Sequence, residues 1–159
     1  MASAHRNYQA VIDQLNPTGA RDHRMRKVVD ALWAAFENLG FTWVGFYIDQ
    51  PNQLDDQRLV LGLCRDKPAC SPIGLHGVCG QVLCSRKPRI VEDVIELGEN
   101  YIACDPRDRS EIVIPCIDDD GKCWGVLDVD SWEIGAFDES DERGLLAVVE
   151  AAGLTSHSS

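Results

Sequence analysis

The chain has 159 residues, a length that suits one domain with its own hydrophobic core. Hydrophobic residues make up 45% and charged residues 26%, as in soluble globular proteins, and no stretch approaches the roughly 18 apolar residues of a membrane span. The formal net charge of −11 repels phosphate backbones and anionic lipid, which argues against binding to nucleic acid or membrane and favours a cationic or zwitterionic ligand.

Apolar residues recur at helical spacing in two segments near the start of the chain, which predicts two amphipathic helices over about 4–38. Pro17 and Gly19 mark the break between them. This N-terminal region is polar and has no apolar signal segment, so we expect a cytoplasmic protein. Near the end, Asp138 is a suitable N-cap for a third helix, predicted over about 138–152.

Five β-like runs lie between these helices, separated by turns rich in Pro, Gly and Asp. They are FTWVGFYI, RLVLGLC, RIVEDV, SEIVIPCI and CWGVLDVD. The join CIDDDGKCW predicts a β-hairpin, GVCGQVLCS predicts a short helix, and 94–109 predicts a long irregular loop of the kind that carries function. Together the elements predict one α+β domain over 1–159, with a largely antiparallel sheet over about 41–131 covered by helices.

Alternation along the first strand places Trp43, Gly45 and Tyr47 on one face of the sheet. Two aromatic side chains on either side of a glycine leave a slot between them. The slot is either a binding site or a gap in the core that another element fills.

Alternation also places Asp128 and Asp130 side by side on one face of their strand. Glu111 joins them if its strand is the neighbour. Strand carboxylates are commonly just solvated, but three acids beside two aromatic rings suit an ammonium group. The pattern therefore favours an amino acid or amine as ligand over a nucleotide.

Seven cysteines are many for a cytoplasmic chain, and the odd number excludes complete pairing within it. Four of them lie in apolar runs and are predicted to be small buried hydrophobes: Cys64, Cys84, Cys116 and Cys123. A structural zinc site is not expected, because the candidate ligands lack paired C-x2-4-C knuckles; these candidates are Cys70, His76, Cys79 and Cys84.

Cys104 differs, because it lies in a polar loop close to Arg107 and Arg109. A nearby guanidinium favours the thiolate, whereas the adjacent Asp105 opposes it. A thiol beside an amine-binding slot, with two further cysteines upstream, predicts thiol redox chemistry with internal disulfide formation. These two cysteines are Cys70 and Cys79.

The ordered motifs TWVGFY, LVLG with KPAC, GVCG, VEDV, YIACD, SEIVIP and GVLDVDS with FDESDERGL cover roughly residues 41–146. As a set they resemble the GAF-domain free methionine-(R)-sulfoxide reductases. The resemblance implies a GAF fold and reduction of free methionine-R-sulfoxide at the expense of thioredoxin. It implies no metal and no organic cofactor, and GAF domains of this type are often homodimers.

The resemblance also implies roles for individual residues. Cys104 matches the nucleophile, and Cys70 and Cys79 match the recycling cysteines, of which Cys70 is the favoured partner of Cys104. The substrate-pocket positions are Trp43, Tyr47, Glu111, Asp128 and Asp130.

Two motifs depart from the family pattern. The usual C-x-R-I-P-x-G-x-G-V-C-G is CSPIGLHGVCG here, one residue shorter between the cysteines, and GHIACD is NYIACD. The shorter segment leaves Cys79 open as the alternative partner of Cys104, because a disulfide tolerates only a narrow range of separations.

Two other classes of function share part of this pattern. A GAF domain that only senses a small molecule needs the slot but not three thiols. A cysteine redox switch needs the thiols but not the acidic and aromatic cage. The chain carries both sets, which favours the enzyme.

Overall fold

Five strands form one sheet in the computed structural model, which describes residues 5–101 and 104–156. The strands are β1 (Trp43–Asp49), β2 (Leu59–Arg65), β3 (Arg89–Val91), β4 (Ser110–Ile117) and β5 (Cys123–Ser131). They lie in the order β2-β1-β5-β4-β3, and every neighbouring pair is antiparallel. The predicted α+β class, the antiparallel sheet and the β4–β5 hairpin are confirmed.

Helices cover both faces of the sheet. They are α1 (Tyr8–Ile12), α2 (Arg21–Phe36), α3 (Val78–Ser85) and α4 (Glu139–Ala151). α1, α2 and α4 pack together over one face, whereas the short α3 lies over the other, on β4 and β5. Among the described helices, none has the length and apolar character needed to cross a membrane.

The two faces of β1 contribute to separate cores. Val44 and Phe46 are fully buried under the larger set of helices, while Trp43 and Tyr47 join the smaller core beneath α3. This division follows the alternation predicted from the sequence. The aromatic residues of the predicted site therefore lie on the α3 face.

The segment 94–109 is more regular than predicted. Its first part, Val94–Asn100, is 3-10 helical and kinks at Gly98, which has a φ of 53°. The Asp93 side chain accepts a hydrogen bond from the Ile95 amide, and Glu96 accepts one from the Asp93 amide. This capping box stabilises the turn. Residues 102 and 103 of the YIACD motif, and residue 4 of the predicted N-terminal helix, lie outside the described residues.

A buried ion pair joins the start of the chain to α4. Arg6 donates to Asp141 at 2.9 Å, Tyr8 donates to the same carboxylate at 2.6 Å, and both charged side chains are 1% exposed. The Arg6 guanidinium also lies 5.2 Å from the ring centres of Phe41 and Phe137. The cluster thus fixes the segment that leads into β1.

We predict that Arg6→Ala lowers the free energy of unfolding by about 3–5 kcal/mol, because it leaves the Asp141 carboxylate buried without its cation. Urea denaturation measures the loss. Asp30→Ala is the matched control, since it breaks the exposed Arg65–Asp30 pair, with side chains 47% and 45% exposed, and should cost less than about 1 kcal/mol. Equal losses in the two variants would contradict the assigned role of Arg6.

Candidate active site

A pocket opens on the α3 face, where β1, β4 and β5 meet. Seven of the eight predicted site residues line it: Trp43, Tyr47, Cys79, Cys104, Glu111, Asp128 and Asp130. The eighth, Cys70, is bonded to Cys104. The sheet register and the two loops thus bring together residues that lie up to 87 positions apart in the chain, from Trp43 to Asp130.

Three carboxyl groups form the acidic wall of the pocket. Glu111 lies directly opposite Asp130 in the β4–β5 register, and Asp128 lies opposite Val113 two positions along. Glu111 is 8% and Asp128 is 5% exposed. Within the described ranges, no lysine, arginine or histidine forms an ion pair with any of the three.

Burial and mutual repulsion change the acidity of these groups. Desolvation raises the pKa of Glu111, and desolvation together with the neighbouring carboxyls raises the pKa of Asp128 and of Asp130 well above the usual range. Glu111 lies close enough to both aspartates to interact with each of them electrostatically. The pocket carboxyls therefore hold their protons to a higher pH than exposed carboxyl groups do, and the site favours a bound positive charge.

Two aromatic side chains of β1 line the pocket beside the acids, with Trp43 opposite Asp130 in the β1–β5 register. The ring centres of Trp43 and Tyr47 are 6.0 Å apart. The predicted slot over Gly45 is filled, because a Cβ built there would lie 2.5 Å from the Trp43 ring and 2.7 Å from the Cys64 Cβ. The free space lies instead in the pocket that the two rings line together with the acids.

The same aromatic residues hold the segment that carries Cys70. Trp43 donates a hydrogen bond from Nε1 to the carbonyl of Lys67 at 2.7 Å, and the Tyr47 hydroxyl donates to the carbonyl of Cys70 at 2.9 Å. The pocket wall thereby fixes the backbone on both sides of residues 68 and 69.

Cys70 and Cys104 form a disulfide with their Cα atoms 5.5 Å apart. Cys79 lies deeper in the pocket and is 4% exposed. Burial, followed by the nearby carboxylates, raises the pKa of the Cys79 thiol well above its ordinary value. Cys79 is therefore a poor nucleophile, because only the thiolate attacks.

The other thiols differ in burial. Cys116 and Cys123 are buried as predicted, and Cys64 is half-buried. The prediction for Cys84 was wrong, because this side chain is exposed. It lies in the last turn of α3, where Val82 and Leu83 supply the buried face.

The two arginines near Cys104 are paired with carboxylates. Arg107 contacts Asp105 through Nε at 3.1 Å and Nη2 at 3.0 Å, and Arg109 lies 3.7 Å from Asp93. Hydrogen bonding to Arg107 lowers the pKa of Asp105. Each guanidinium is thus paired with a neighbouring carboxylate. This pairing weakens the stabilisation of the Cys104 thiolate that the sequence suggested.

Two pocket residues were not identified from the sequence. Tyr101 and Asp108 also line the pocket, and Asp108 is 8% exposed. Burial, together with Asp105 and Glu111, raises the pKa of Asp108 to about 7. Both residues belong to the segment 94–109, which the sequence predicted to be a functional loop. That prediction was the one indication that residues of this segment could belong to the site.

A wider groove adjoins the pocket on its solvent side. It shares Trp43, Cys104, Asp108 and Asp130 with the pocket and extends to the exposed Trp132. The Arg107 guanidinium lies 4.0 Å from the Trp132 ring centre. The groove gives access from solvent to the sulfur of Cys104.

Comparisons with known proteins match nearly the whole chain. The GAF domain family matches residues 26–155. The chain is 33% identical over 154 residues to the free methionine-R-sulfoxide reductase of Saccharomyces cerevisiae, covering 90% of the chain and 84% of that relative.

Solved structures give the same result. The reduced form of fRMsr from Staphylococcus aureus is similar with a TM-score of 0.83 and 31% identity, covering 96% of this chain and 97% of that one. The free methionine-R-sulfoxide reductase from Neisseria meningitidis in complex with its substrate is similar with a TM-score of 0.81 and 30% identity, covering 96% and 94%.

We predict that Asp108→Asn removes part of the pH dependence of stability. The folded protein holds the Asp108 proton up to about pH 7, whereas the unfolded chain releases it near pH 4, so the wild type loses stability as the pH rises between these values. The variant should therefore gain on the order of 2–4 kcal/mol relative to the wild type between about pH 4 and pH 8. Denaturant titrations of both proteins at about pH 4 and at about pH 8 test this. A difference in the free energy of unfolding that is the same at both pH values would refute it.

Proposed function

Because the chain belongs to the free methionine-R-sulfoxide reductase family of GAF domains, we propose that it reduces the R epimer of free methionine sulfoxide to methionine. The observation that carries the proposal is one pocket that combines the Cys104 sulfur with three carboxyl groups that form no ion pair with any described side chain. A thiol supplies the reducing electrons, and the acids supply charge and protons.

The pocket suits a free amino acid. The substrate ammonium compensates the negative charge of the acidic wall, where Asp128 Oδ1 has no hydrogen-bond partner among the described residues. The rings of Trp43 and Tyr47 provide an apolar surface for the methyl and methylene groups on either side of the sulfoxide sulfur. A peptide-bound methionine sulfoxide has no ammonium at this position and leaves the carboxylates unpaired.

In the first step, the Cys104 thiolate attacks the sulfur of the sulfoxide. The sulfoxide oxygen must gain a proton as it leaves sulfur, because it is otherwise a poor leaving group. Glu111 or Asp130 supplies this proton, since burial raises the pKa of both groups and repulsion from Glu111 and Asp108 raises that of Asp130 further. The oxygen passes to Cys104, giving a sulfenic acid and free methionine.

In the second step, the Cys70 thiol attacks the Cys104 sulfenic acid and releases water, which forms the disulfide. The Cα separation of 5.5 Å lies within the range of about 4.4–6.8 Å that disulfides need, which supports Cys70 as the partner. Cys79 remains a deep thiol without a step of its own.

In the third step, a dithiol reductant of the thioredoxin class reopens the disulfide by exchange. The groove between the disulfide and Trp132 provides the approach. The electrons come from thiols at every stage, so the cycle needs no metal and no organic cofactor.

We predict that Cys104→Ser abolishes methionine formation while the fold remains intact, because a hydroxyl group near its ordinary pKa does not attack sulfoxide sulfur at neutral pH. Chromatographic detection of methionine after incubation with dithiothreitol measures the loss. Cys84→Ser is the matched control and should retain full activity, since that thiol is exposed outside the pocket. Activity retained in Cys104→Ser would refute the nucleophile.

We predict a preference of roughly 100-fold or more, in kcat/KM, for free methionine sulfoxide over its N-acetyl derivative. The acetylated substrate cannot offer an ammonium to the enclosed carboxylates. Parallel rate measurements on the two compounds test this. Comparable values of kcat/KM for the two compounds would show that the acidic wall does not recognise the amino group.

We predict that stoichiometric oxidation of the reduced protein by methionine-R-sulfoxide produces a Cys70–Cys104 disulfide, which peptide mapping identifies. Cys70→Ser should still release one equivalent of methionine and then stop with thioredoxin as reductant, because the sulfenic acid has lost the thiol that pairs with Cys104 in the disulfide. Cys79→Ser should continue to turn over. A dominant Cys79–Cys104 linkage would contradict the assignment.

A further inference from the structure

Three different ligand atoms converge at the inner end of the pocket. The Sγ of Cys79 and one carboxylate oxygen each from Glu111 and Asp128 all lie within 4.8 Å of one another, and all three residues are buried. They come from α3, β4 and β5, three elements packed against each other. Their relative positions are therefore set by the core and not by a surface loop.

A second observation indicates that this cluster takes a cation. Asp128 is 5% exposed and lines the pocket, and its Oδ1 has no hydrogen-bond partner among the described residues. A buried carboxylate oxygen without a partner is costly, and a positively charged ligand removes that cost. The catalytic proposal assigns no role to the Cys79 thiol beside it.

We propose that Cys79, Glu111 and Asp128 bind a zinc ion that competes with the substrate for the pocket. A thiolate with two carboxylates selects zinc over calcium or magnesium, which prefer oxygen ligands alone. Tetrahedral ligands around zinc lie roughly 3.6 Å apart, so atoms already within 4.8 Å of one another need to approach by no more than about 1 Å. Water or the adjacent Asp130 completes the coordination.

This site differs from a structural zinc site. It uses Cys79 but none of Cys70, His76 or Cys84, and the fold does not depend on the ion. Binding involves no redox change: the Cys79 thiol and the carboxyl groups release their protons as zinc enters, so affinity rises with pH. The Cys70–Cys104 disulfide leaves all three ligands free, so the oxidised protein retains the site.

The competition with substrate rests on the proposed function, whereas zinc binding does not. Zinc neutralises the carboxylates that would otherwise receive the substrate ammonium, and it occupies the space beside them. The two ligands therefore exclude each other. Zinc should raise the KM for methionine sulfoxide without changing kcat.

Cobalt(II) is a suitable probe, because it replaces zinc and gives a near-ultraviolet charge-transfer band when a thiolate binds it. The titration uses the oxidised protein in a Cys84→Ser background, which removes the exposed thiol and keeps Cys70 and Cys104 bonded. We expect one equivalent of cobalt to produce the band and one equivalent of zinc to abolish it. No band in this protein would overturn the proposal.

Three variants assign the ligands. Cys79→Ser should lose the band, and the isosteric Asp128→Asn should weaken binding at least tenfold, which gives a second measure if Cys79→Ser does not fold. Cys116→Ser, a buried thiol on the opposite face of the sheet, should behave as the parent. A band that survives Cys79→Ser, or full affinity in Asp128→Asn, would overturn the proposal.

Addition of methionine-R-sulfoxide to the cobalt-loaded protein separates the two claims. Loss of the band on addition supports competition for one pocket. A band that persists in a protein active on this substrate overturns the competition. An intact band in a protein without reductase activity refutes the proposed function alone.

Discussion

The site depends on the cost of enclosing three carboxyl groups on one face of an antiparallel sheet. The β4–β5 register places Glu111 opposite Asp130, and alternation along β5 adds Asp128 to the same face. Desolvation and mutual repulsion disfavour their ionisation, so the pocket keeps protons and attracts positive charge. The proposed proton donation to a sulfoxide, the proposed selection of an amino group and the proposed metal site all rest on this one arrangement.

The pocket and the redox pair are also mechanically connected. Trp43 and Tyr47 line the pocket beside the acids, and their polar atoms donate hydrogen bonds to the carbonyls of Lys67 and Cys70. The residues that shape the binding site therefore also hold Cys70 at bonding distance from Cys104. The segment between Cys70 and Cys79 is one residue shorter than in the family pattern, yet Cys70 still pairs with Cys104. The reason is that the hydrogen bonds from Trp43 and Tyr47 hold the backbone at Lys67 and at Cys70 itself.

Regular periodicity explains what the sequence could predict. The two-residue alternation of side chains along a strand predicted that Asp128 and Asp130 share one face. The hairpin between β4 and β5 made Glu111 their neighbour. Periodicity does not describe loops, so it missed Tyr101 and Asp108 and did not predict the 3-10 turn at 94–100. It also does not describe rotamers: the Trp43 ring folds over Gly45 and fills the slot that the glycine suggested. The partner of Cys104 depends on a distance that only the tertiary structure supplies.

We propose that the protein reduces free methionine-R-sulfoxide at the expense of thioredoxin. The most direct measurement is NADPH oxidation in an assay that couples the purified protein to thioredoxin and thioredoxin reductase, with the R and S epimers of methionine sulfoxide supplied separately. The account predicts stoichiometric NADPH consumption and methionine release with the R epimer and background rates with the S epimer. Equal rates with both epimers, or no consumption with the R epimer, would contradict it.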